Sequence, residues 1–328
     1  MIQQPSQNDL LVGHGRRRLR VADWAIWLVL LCLLGVGSLL SDSMLRPANL
    51  VNIMRQAAPL GIAALGVTFV MILGEVDLAV GAVISVSAVL ATNLMQGSSA
   101  NLFPAVATSL VVSTVIGGLN GSLVAFSRVS SFILTLGTAI FLYGCTQILT
   151  GGMAHGTVSP GFREFFNLRL GGWLPVLVIA FLLLALVALV IQRTSVFARQ
   201  VYLIGANRRT ARLSGLPIER TIVIAYMLSG FFAGVAGLAL VARSGVSGSL
   251  AASGYEFDVL AAVILGGTSF QGGRGGVDGT VGGVLILTLA FNLVNIIGLN
   301  YHSQLIVKGL IIIIASAAYQ RIGAQQGG

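Results

Sequence analysis

Charged residues are scarce in this chain. Only 9% of its 328 residues are Asp, Glu, Lys or Arg, whereas 56% are hydrophobic, and the mean hydropathy is +0.93. A soluble domain of this length would contain about 25% charged residues. A membrane-spanning helix needs about 20 consecutive apolar residues, and the chain has many such runs. The composition therefore excludes an ordinary soluble protein and predicts an all-α integral membrane protein.

Residues that bind metals or form cross-links are also few. The two cysteines, Cys32 and Cys145, both lie within apolar runs, which argues against a disulfide framework and against a metal site. The three histidines, His14, His155 and His302, are far apart along the chain. Without a cluster of histidines and carboxylates, a multi-pass membrane enzyme has no support, and we predict no catalytic residue and no metal.

A nucleotide-binding sequence is missing as well. The glycine-rich run at 272–276 lacks the GK[ST] ending of a phosphate-binding loop, and Lys308 is the only lysine. We therefore expect no cofactor in this chain, and if ATP is used, a partner hydrolyses it. The pI near 10.5 does not indicate nucleic acid, because the basic residues lie at span ends and act as topology signals.

The apolar runs predict ten membrane-spanning helices between two polar tails. The spans lie at about 24–41, 53–73, 79–96, 103–126, 132–150, 174–192, 222–242, 256–271, 279–298 and 303–319. The chain divides into a tail at 1–20, a membrane region at 21–320 with a polar loop at 193–221, and a tail at 321–328. Span eight is the least hydrophobic, so we expect it to be broken or partly re-entrant. No cleavable signal peptide is expected, since no small-residue cleavage site follows the first apolar run.

The arginines predict how the spans are oriented. If the N-terminus is cytoplasmic and the spans alternate, thirteen basic residues fall inside: Arg16, Arg17, Arg18, Arg20, Arg128, the six of 193–220, Arg274 and Arg321. Five fall outside or near the outer ends: Arg46, Arg55, Arg163, Arg169 and Arg243. Cytoplasmic loops carry an excess of Lys and Arg. Both termini are therefore predicted to be cytoplasmic.

The longest polar interruption, residues 193–220, contains a short helix signal among six basic residues and one acid. Asn207 is a good N-cap, Gly215 suits the left-handed position that ends a helix, and Pro217 blocks continuation. These residues predict a helix of about two turns, on the order of 10 Å long, from Arg208 to Ser214.

Such a short helix is marginal in water, so it should be held by tertiary contact. We expect an apolar footing from Ala211, Leu213 and Leu216, with arginines around it. The alternative is that Arg208, Arg209 and Arg212 only fix the topology and bind lipid headgroups. The cap and the stop favour a helix that is presented to another protein.

Two segments place an aspartate beside glycines at the start of an apolar span. Residues 74–81 read GEVDLAVG, and residues 275–282 read GGVDGTVG. An ionised carboxylate at mid-bilayer costs about 2.5–3.5 kcal/mol, so Asp77 should cap the next helix in a turn or line a polar cavity. The likeness of the two segments is either an internal repeat or chance. Glycine pairs at 117–121, 230–234 and 279–283 predict close helix packing.

The chain resembles the permease subunits of bacterial ABC importers for ribose and related monosaccharides. The resemblance covers roughly 45–320 and rests on four motifs. They are the 74–81 segment, FILTLGT at 132–138, GAN at 205–207 leading to ARLSG at 211–215, and GYEFD at 254–258 leading to AAVILGGTS at 261–269. The family favours GGIDLSVG in the first motif, so Glu75 and Ala79 are departures. The motif turns carried by the resemblance are Gly74, Asp77, Gly81, Gly266, Gly267 and Asp278.

The resemblance implies a fold like that of type II importers, in the bacterial cytoplasmic membrane. It implies a dimer with a second permease copy or homologue, a cytoplasmic ATPase subunit that carries ATP and Mg, and a periplasmic sugar-binding protein. The helix in the basic loop then resembles the coupling helix that enters the ATPase. Its residues are Asn207, Arg208, Arg209, Ala211, Arg212, Leu213, Ser214 and Gly215.

Polar residues within the spans are candidates for the substrate pathway. They are Asn52, Gln56, Asn120, Tyr143, Gln147, Asn292, Asn295 and Gln304, and each is equally well explained as a hydrogen bond between helices. Tyr255, Glu256 and Asp258 are candidates for contact with the binding protein at the outer mouth, or are purely structural.

Several alternatives remain at the level of the sequence. An ion-coupled secondary transporter would usually place ionisable residues deep in several spans, whereas the acids here cluster at span ends. A permease for branched-chain amino acids belongs to the same superfamily, but the sugar-type motifs argue against it. Within the resemblance, the substrate is a pentose, hexose, deoxysugar, polyol or signalling furanone.

Overall fold

The computed structural model describes residues 21–127, 129–298, 306 and 309–310. Its helices are α1 (Val21–Leu40), α2 (Pro47–Ile72), α3 (Val80–Met95), α4 (Leu102–Phe126), α5 (Ser131–Thr150), α6 (Pro160–Asn167), α7 (Val176–Thr194), α8 (Val196–Ala206), α9 (Arg208–Leu213), α10 (Ile218–Ser244), α11 (Tyr255–Leu265) and α12 (Val277–Ile296). A short 3₁₀ turn at Ser99–Asn101 precedes α4. The two tails, the tenth predicted span at 303–319, Arg128 and Gln304 lie outside the described residues.

Strands are confined to two small antiparallel pairs in the loops. Strand β1 (His155–Thr157) pairs with β4 (Val246–Ser247), and β2 (Arg169–Leu170) pairs with β3 (Leu174–Pro175). The first pair joins the α5–α6 connection to the segment after α10, and thus holds these two loops together at one end of the bundle.

Within the described residues, six helices are long and apolar enough to cross a membrane: α2, α4 with its 3₁₀ turn, α5, α7, α10 and α12. In the most hydrophobic 18-residue stretch of each helix, 83% of the residues are buried in α2 and 67% in α10 and in α12, but only 22% in α4, α5 and α7. The first three helices therefore form the centre. The other three present large apolar side chains outward, as lipid-facing helices do.

Two of the predicted spans are shorter than the sequence pattern suggests. Helix α11 ends at Leu265, so the expectation of a broken eighth span is confirmed, although the break comes earlier than the predicted end at 271. Its chain reverses at Gly267, where φ is +84°. Helix α3 has only 16 residues and follows a non-helical segment at 74–79, called here the 74–79 turn.

The predicted close packing at glycines is confirmed for α4 and α10. A Cβ atom at Gly117 would lie 2.2 Å from the carbonyl oxygen of Tyr226, and one at Gly230 would lie 2.3 Å from that of Ser113. Since such distances are too short for non-bonded atoms, only glycine allows these two backbones to approach so closely.

The same device joins α11 to α12. A Cβ atom at Gly279 would lie 2.0 Å from the carbonyl oxygen of Gly266, and one at Gly283 would lie 2.0 Å from that of Ala262. Gly266 thus serves helix packing, whereas Gly267 provides the left-handed turn.

Candidate functional site

The short helix in the basic loop has the cap and the stop that the sequence predicts. The Asn207 side chain accepts a hydrogen bond of 2.9 Å from the Thr210 amide, and Gly215 has φ +73°. The Leu216 amide donates to the Ala211 carbonyl and the Gly215 amide donates to the Arg212 carbonyl, each at 3.1 Å. This is the Schellman arrangement, in which a left-handed glycine lets the chain leave the helix sharply.

The footing of α9 differs in part from the prediction. Ala211 is buried and packs in a cluster with residues such as Ile204 and Ile222, and Leu216 is packed against that cluster. Leu213, in contrast, is 84% exposed, so the expectation that it anchors the helix is wrong. In a six-residue helix Leu213 lies two positions from Ala211 and thus on the other face. Its apolar side chain is left available on the surface.

Helix α8, which precedes α9, was not predicted from the sequence. The Ser195 side chain accepts a hydrogen bond of 3.0 Å from the Ala198 amide, and the buried residues Ala198, Val201 and Ile204 recur every third position. A serine cap followed by apolar residues at this spacing is an amphipathic helix signal.

Two ion pairs fix the arginines of α9. Arg208 Nη1 lies 2.8 Å from Glu75 Oε1, and Arg212 Nη2 lies 3.0 Å from Glu219 Oε1. The Glu75 side chain is 10% exposed, whereas the three others are between 41% and 69% exposed. The Arg208–Glu75 pair joins positions 133 residues apart, and no pattern in the sequence predicts it.

Around this pair, three chain reversals meet at one end of the bundle. The Gly273 amide donates to the Ile72 carbonyl at 2.8 Å, which joins the turn after α11 to the end of α2. A Cβ atom at Gly205 would lie 1.8 Å from the same Ile72 oxygen, so α8 touches this backbone directly. The motif turns that the sequence placed far apart, around Gly74, 205–215 and 266–276, therefore form one junction.

Polar side chains connect α7, α8 and α12 at the same junction. Gln192 Nε2 donates to the Tyr202 hydroxyl at 3.0 Å, and the hydroxyl donates to the Gly275 carbonyl at 2.7 Å. Gln192 Oε1 accepts from the Val277 amide at 2.7 Å. Burial, and to a lesser extent the negative charge of Asp278, raises the pKa of the Tyr202 phenol. The phenol therefore stays protonated and can donate its hydrogen bond to the Gly275 carbonyl.

The 74–79 turn begins with a glycine reversal and continues into the interior. Gly74 has φ +78°, and the Glu75 amide donates to the Val70 carbonyl at 3.2 Å, which completes a Schellman end for α2. The predicted hydrogen bond is present, because the Ala79 amide donates to Asp77 Oδ1 at 3.0 Å, but the N-cap position of α3 is Ala79 itself and no side chain caps the helix. Asp77 is 4% exposed, so its carboxylate lies in the interior of the protein and does not face lipid.

Side chains of neighbouring helices satisfy this irregular backbone. Ser229 Oγ donates to Asp77 Oδ2 at 2.7 Å, and the Tyr226 hydroxyl donates to the Val76 carbonyl at 2.8 Å. The Val76 and Leu78 amides donate to the hydroxyls of Ser131 (3.2 Å) and Thr135 (3.0 Å). Non-helical backbone inside a membrane protein requires such partners.

Asp278 does not repeat the chemistry of Asp77. It lies in the first turn of α12 and is exposed, and α12 has no side-chain cap. The feature predicted for both segments, an aspartate at a helix start beside a glycine bend, is nevertheless present, because Gly275 (φ +132°) and Gly276 precede it. Thr280 of the same segment contacts the hydroxyl of Thr68 in α2 at 2.8 Å.

A second carboxylate, Glu256, reaches the first turn of α3 from the other direction. The Tyr143 hydroxyl donates to Glu256 Oε2 at 3.3 Å, and a Cβ atom at Gly81 would lie 2.1 Å from that carboxylate oxygen. Gly81 therefore leaves the space that Glu256 occupies. Of the acids that stand at span ends in the sequence, Asp77 and Asp258 are buried and Glu256 is half-buried, whereas Asp278 is exposed.

The other two residues predicted at the outer mouth, Tyr255 and Asp258, are less exposed than expected. Asp258 is 8% exposed, and Tyr255 is half-buried. Of these three candidates, the structure places none as a freely exposed side chain, which favours the structural alternative.

The pathway candidates divide into two groups. Asn120 accepts from the Thr138 hydroxyl at 2.8 Å, and Asn292 exchanges hydrogen bonds of 3.1 and 3.0 Å with Asn49, so these two buried residues join helices. Gln56 and Tyr143 are half-buried, whereas Asn52 and Asn295 are exposed. Gln147 is also exposed, and the Tyr143 hydroxyl contacts the half-buried carboxylate of Glu256.

At the opposite end from α9 lies a cavity of about 540 Å³ lined by three arginines. Arg55 comes from the start of α2, Arg163 from α6 and Arg243 from the end of α10. Arg55 donates to the Asn167 side chain. All three were assigned to the outer side from the sequence, and their convergence agrees with that assignment. The cavity itself was not predicted.

These features define a class of protein. A bundle of apolar helices, with two helices that begin inside it and with buried carboxylates in the breaks, is the architecture of a membrane transport protein. A family model described as "Branched-chain amino acid transport system / permease component" matches residues 49–316. The chain belongs to this permease family, and it is a multi-pass protein of the bacterial inner membrane.

Three curated relatives cover most of the chain. The ribose import permease of Escherichia coli K12 is 35% identical over 298 residues, which is 88% of this chain and 90% of the relative. The ribose import permease of Bacillus subtilis 168 is 36% identical over 292 residues, with the same coverage. The galactose/methyl galactoside import permease of Haemophilus influenzae is 32% identical over 311 residues, covering 89% and 92%. No solved structure matches the chain significantly.

Proposed function

We propose that this chain is the membrane-spanning permease subunit of an ATP-driven ABC importer for a monosaccharide or a related polyol. The relatives named above import ribose and galactosides, and a D-allose permease of Escherichia coli is 32% identical over 281 residues. We propose a sugar as the substrate because all of these relatives are named for sugar substrates. The particular sugar is set by the binding protein that delivers it.

In this proposal α9 is the coupling helix, and the ATP and Mg are held by a separate cytoplasmic ATPase subunit. The helix is rigidly capped, yet Arg209 and Leu213 point away from the permease. A basic residue beside an exposed apolar one is a suitable contact for another protein. Lipid headgroups alone do not account for Leu213.

The orientation follows from the same arrangement. The junction around α9 faces the cytoplasm, and the arginine-lined cavity faces the periplasm, where it offers positive charge to the acidic side chains of a sugar-binding protein. Ten spans with both termini inside, and a dimer with a second permease, complete the proposed assembly. The apolar outer faces of α4, α5 and α7 then contact lipid or the second permease.

The experiment is a reconstitution. The permease, with its ATPase subunit and its sugar-binding protein, is placed in liposomes, and ATP hydrolysis and sugar uptake are measured with ribose, galactose and allose. We expect one sugar to stimulate hydrolysis and to accumulate only when ATP is present. Accumulation driven by a proton gradient without ATP would contradict the proposal, as would stimulation by branched-chain amino acids alone.

The coupling role of α9 is tested in the same system. Arg209→Ala combined with Leu213→Ala should reduce sugar-stimulated hydrolysis about tenfold, because each side chain loses its contact with the ATPase. The matched control is Arg199→Ala, which removes an exposed arginine from the neighbouring helix α8. If the control and the double variant behave alike, α9 is not the contact.

A further inference from the structure

Glu75 is an acid in an unusual position. It follows the left-handed Gly74 at the end of α2, and the residue as a whole is only 9% exposed. A buried carboxylate without a partner is strongly destabilising. The family pattern that this chain resembles has glycine at this position, so the fold itself does not require a carboxylate here. The partner that makes it tolerable is Arg208, at 2.8 Å.

Arg208 is the first residue of α9, where a positive charge is electrostatically unfavourable because the helix N-terminus is itself positive. The Glu75 carboxylate, 2.8 Å from Arg208 Nη1, offsets the charge of that guanidinium. Besides this ion pair, α9 is held by the side chains of Ala211 and Leu216 and by the exposed pair of Arg212 with Glu219, which lies at the start of α10. Among the described residues, the Arg208–Glu75 pair is thus the charged link that joins α9 to a segment distant in the chain, the 74–79 turn.

The link leads directly into the interior. Glu75 is followed by Val76, whose carbonyl accepts from Tyr226, and then by Asp77, whose carboxylate accepts from Ser229. Both partners belong to α10, the helix that begins after α9. A displacement of α9 is therefore passed to the buried turn by Arg208 and Glu75, and from the turn to the middle of α10.

We propose that Glu75 is a positioning residue for energy coupling: its ion pair with Arg208 fixes α9 to the 74–79 turn, so that movement of α9 reaches α10. The inference rests on the proposed function. It adds Glu75, which follows the end of α2, to the residues that couple ATP hydrolysis to transport. It also gives a role to the glutamate that stands where the resembled motif has glycine.

The test uses the full reconstituted importer. Glu75→Gln and Arg208→Gln should each lower the ratio of sugar-stimulated to basal ATP hydrolysis about fivefold, which corresponds to a coupling of about 1 kcal/mol. The double variant should be no worse than either single one, since both remove the same link. The charge exchange Glu75→Arg with Arg208→Glu should recover part of the ratio.

Two controls separate coupling from folding. Glu219→Gln removes the acid of the exposed Arg212–Glu219 pair and should leave the ratio unchanged, because exposed pairs contribute little. Arg208→Lys keeps the charge and should retain most of the ratio even if Glu75→Gln proves too unstable to purify.

The failures are distinguishable. If the wild-type importer shows no sugar-stimulated hydrolysis, the proposed function is wrong. If the wild type is stimulated but Glu75→Gln keeps the full ratio, or if the two single effects add in the double variant, the positioning role of Glu75 is wrong.

Discussion

Among the glycines that the structure describes, Gly205 has the least room for a side chain. A Cβ atom there would lie 1.8 Å from the Ile72 carbonyl oxygen and 2.7 Å from the Gly273 nitrogen, both of which are backbone atoms. Gly205→Ala should therefore push α8 away from the ends of α2 and α11. We expect a loss of about 1–3 kcal/mol, as overpacking usually costs, measured as a lower thermal midpoint of the purified permease.

The matched variant is Gly144→Ala in α5, which meets no atom within 4 Å. It removes a glycine from a helix interior, so stability should stay the same or rise slightly. If Gly205→Ala is as stable as this control, the close junction between α8 and α2 does not exist in the protein.

At the scale of residues, the sequence predicted local chemistry well and distant contacts poorly. Asn207, Gly215 and Asp77 act on neighbours within a few positions, so their cap and turn roles could be derived from spacing alone. The Glu75–Arg208 pair depends on the packing of two segments 133 residues apart. Leu213 was predicted to anchor α9 but is exposed, because a helix of six residues is too short for periodicity to define its buried face.

At the scale of elements, the contact of α4 with α10 depends on which glycine of a neighbouring pair faces the partner. Gly117→Ala would place a Cβ atom 2.2 Å from the Tyr226 carbonyl oxygen, whereas Gly118→Ala would meet the flexible Met227 side chain at 3.1 Å. The first should separate the two helices and lower the yield of folded permease, and the second should have little effect.

Size-exclusion chromatography of both variants in detergent measures this difference. Equal, monodisperse yields of the two would show that α4 and α10 do not cross as closely as described. The comparison is strict because the two changes are chemically identical and lie one position apart.

The elements also show where hydropathy alone is insufficient. Nine of the ten predicted spans have a helix at the expected place in the described residues, and the tenth lies outside them. The end of α11 at Leu265, six residues before the predicted end at 271, was not derivable from hydropathy, since glycine and apolar residues continue beyond it. The 74–79 turn was placed between two spans by its acids and its glycine, but the hydroxyls of Ser131, Thr135 and Ser229 that satisfy it could not be identified from the sequence.

At the scale of the whole molecule, the orientation predicts which thiols a membrane-impermeant maleimide can reach. In a background with Cys32 and Cys145 replaced by alanine, Leu170→Cys in β2 should react in intact cells. Ser214→Cys, after α9, should react only in inverted membrane vesicles. Both positions are exposed, so accessibility within the protein does not limit either reaction.

The reverse labelling pattern would invert the topology and remove α9 from the cytoplasm. Labelling of both positions from one side would mean that the number of spans between them is even. The assay therefore tests the arginine-based orientation independently of any transport measurement.

The Asp77–Ser229 hydrogen bond has a consequence for biosynthesis. The two residues are 152 positions apart, and a ribosome adding 5–20 residues per second needs roughly 8–30 s to produce the second after the first. During this interval the carboxylate has no hydroxyl from α10, and the tyrosine that binds the Val76 carbonyl is also still to be made. The first half of the chain must therefore keep its buried turn near water, or inside the insertion machinery, until the second half arrives.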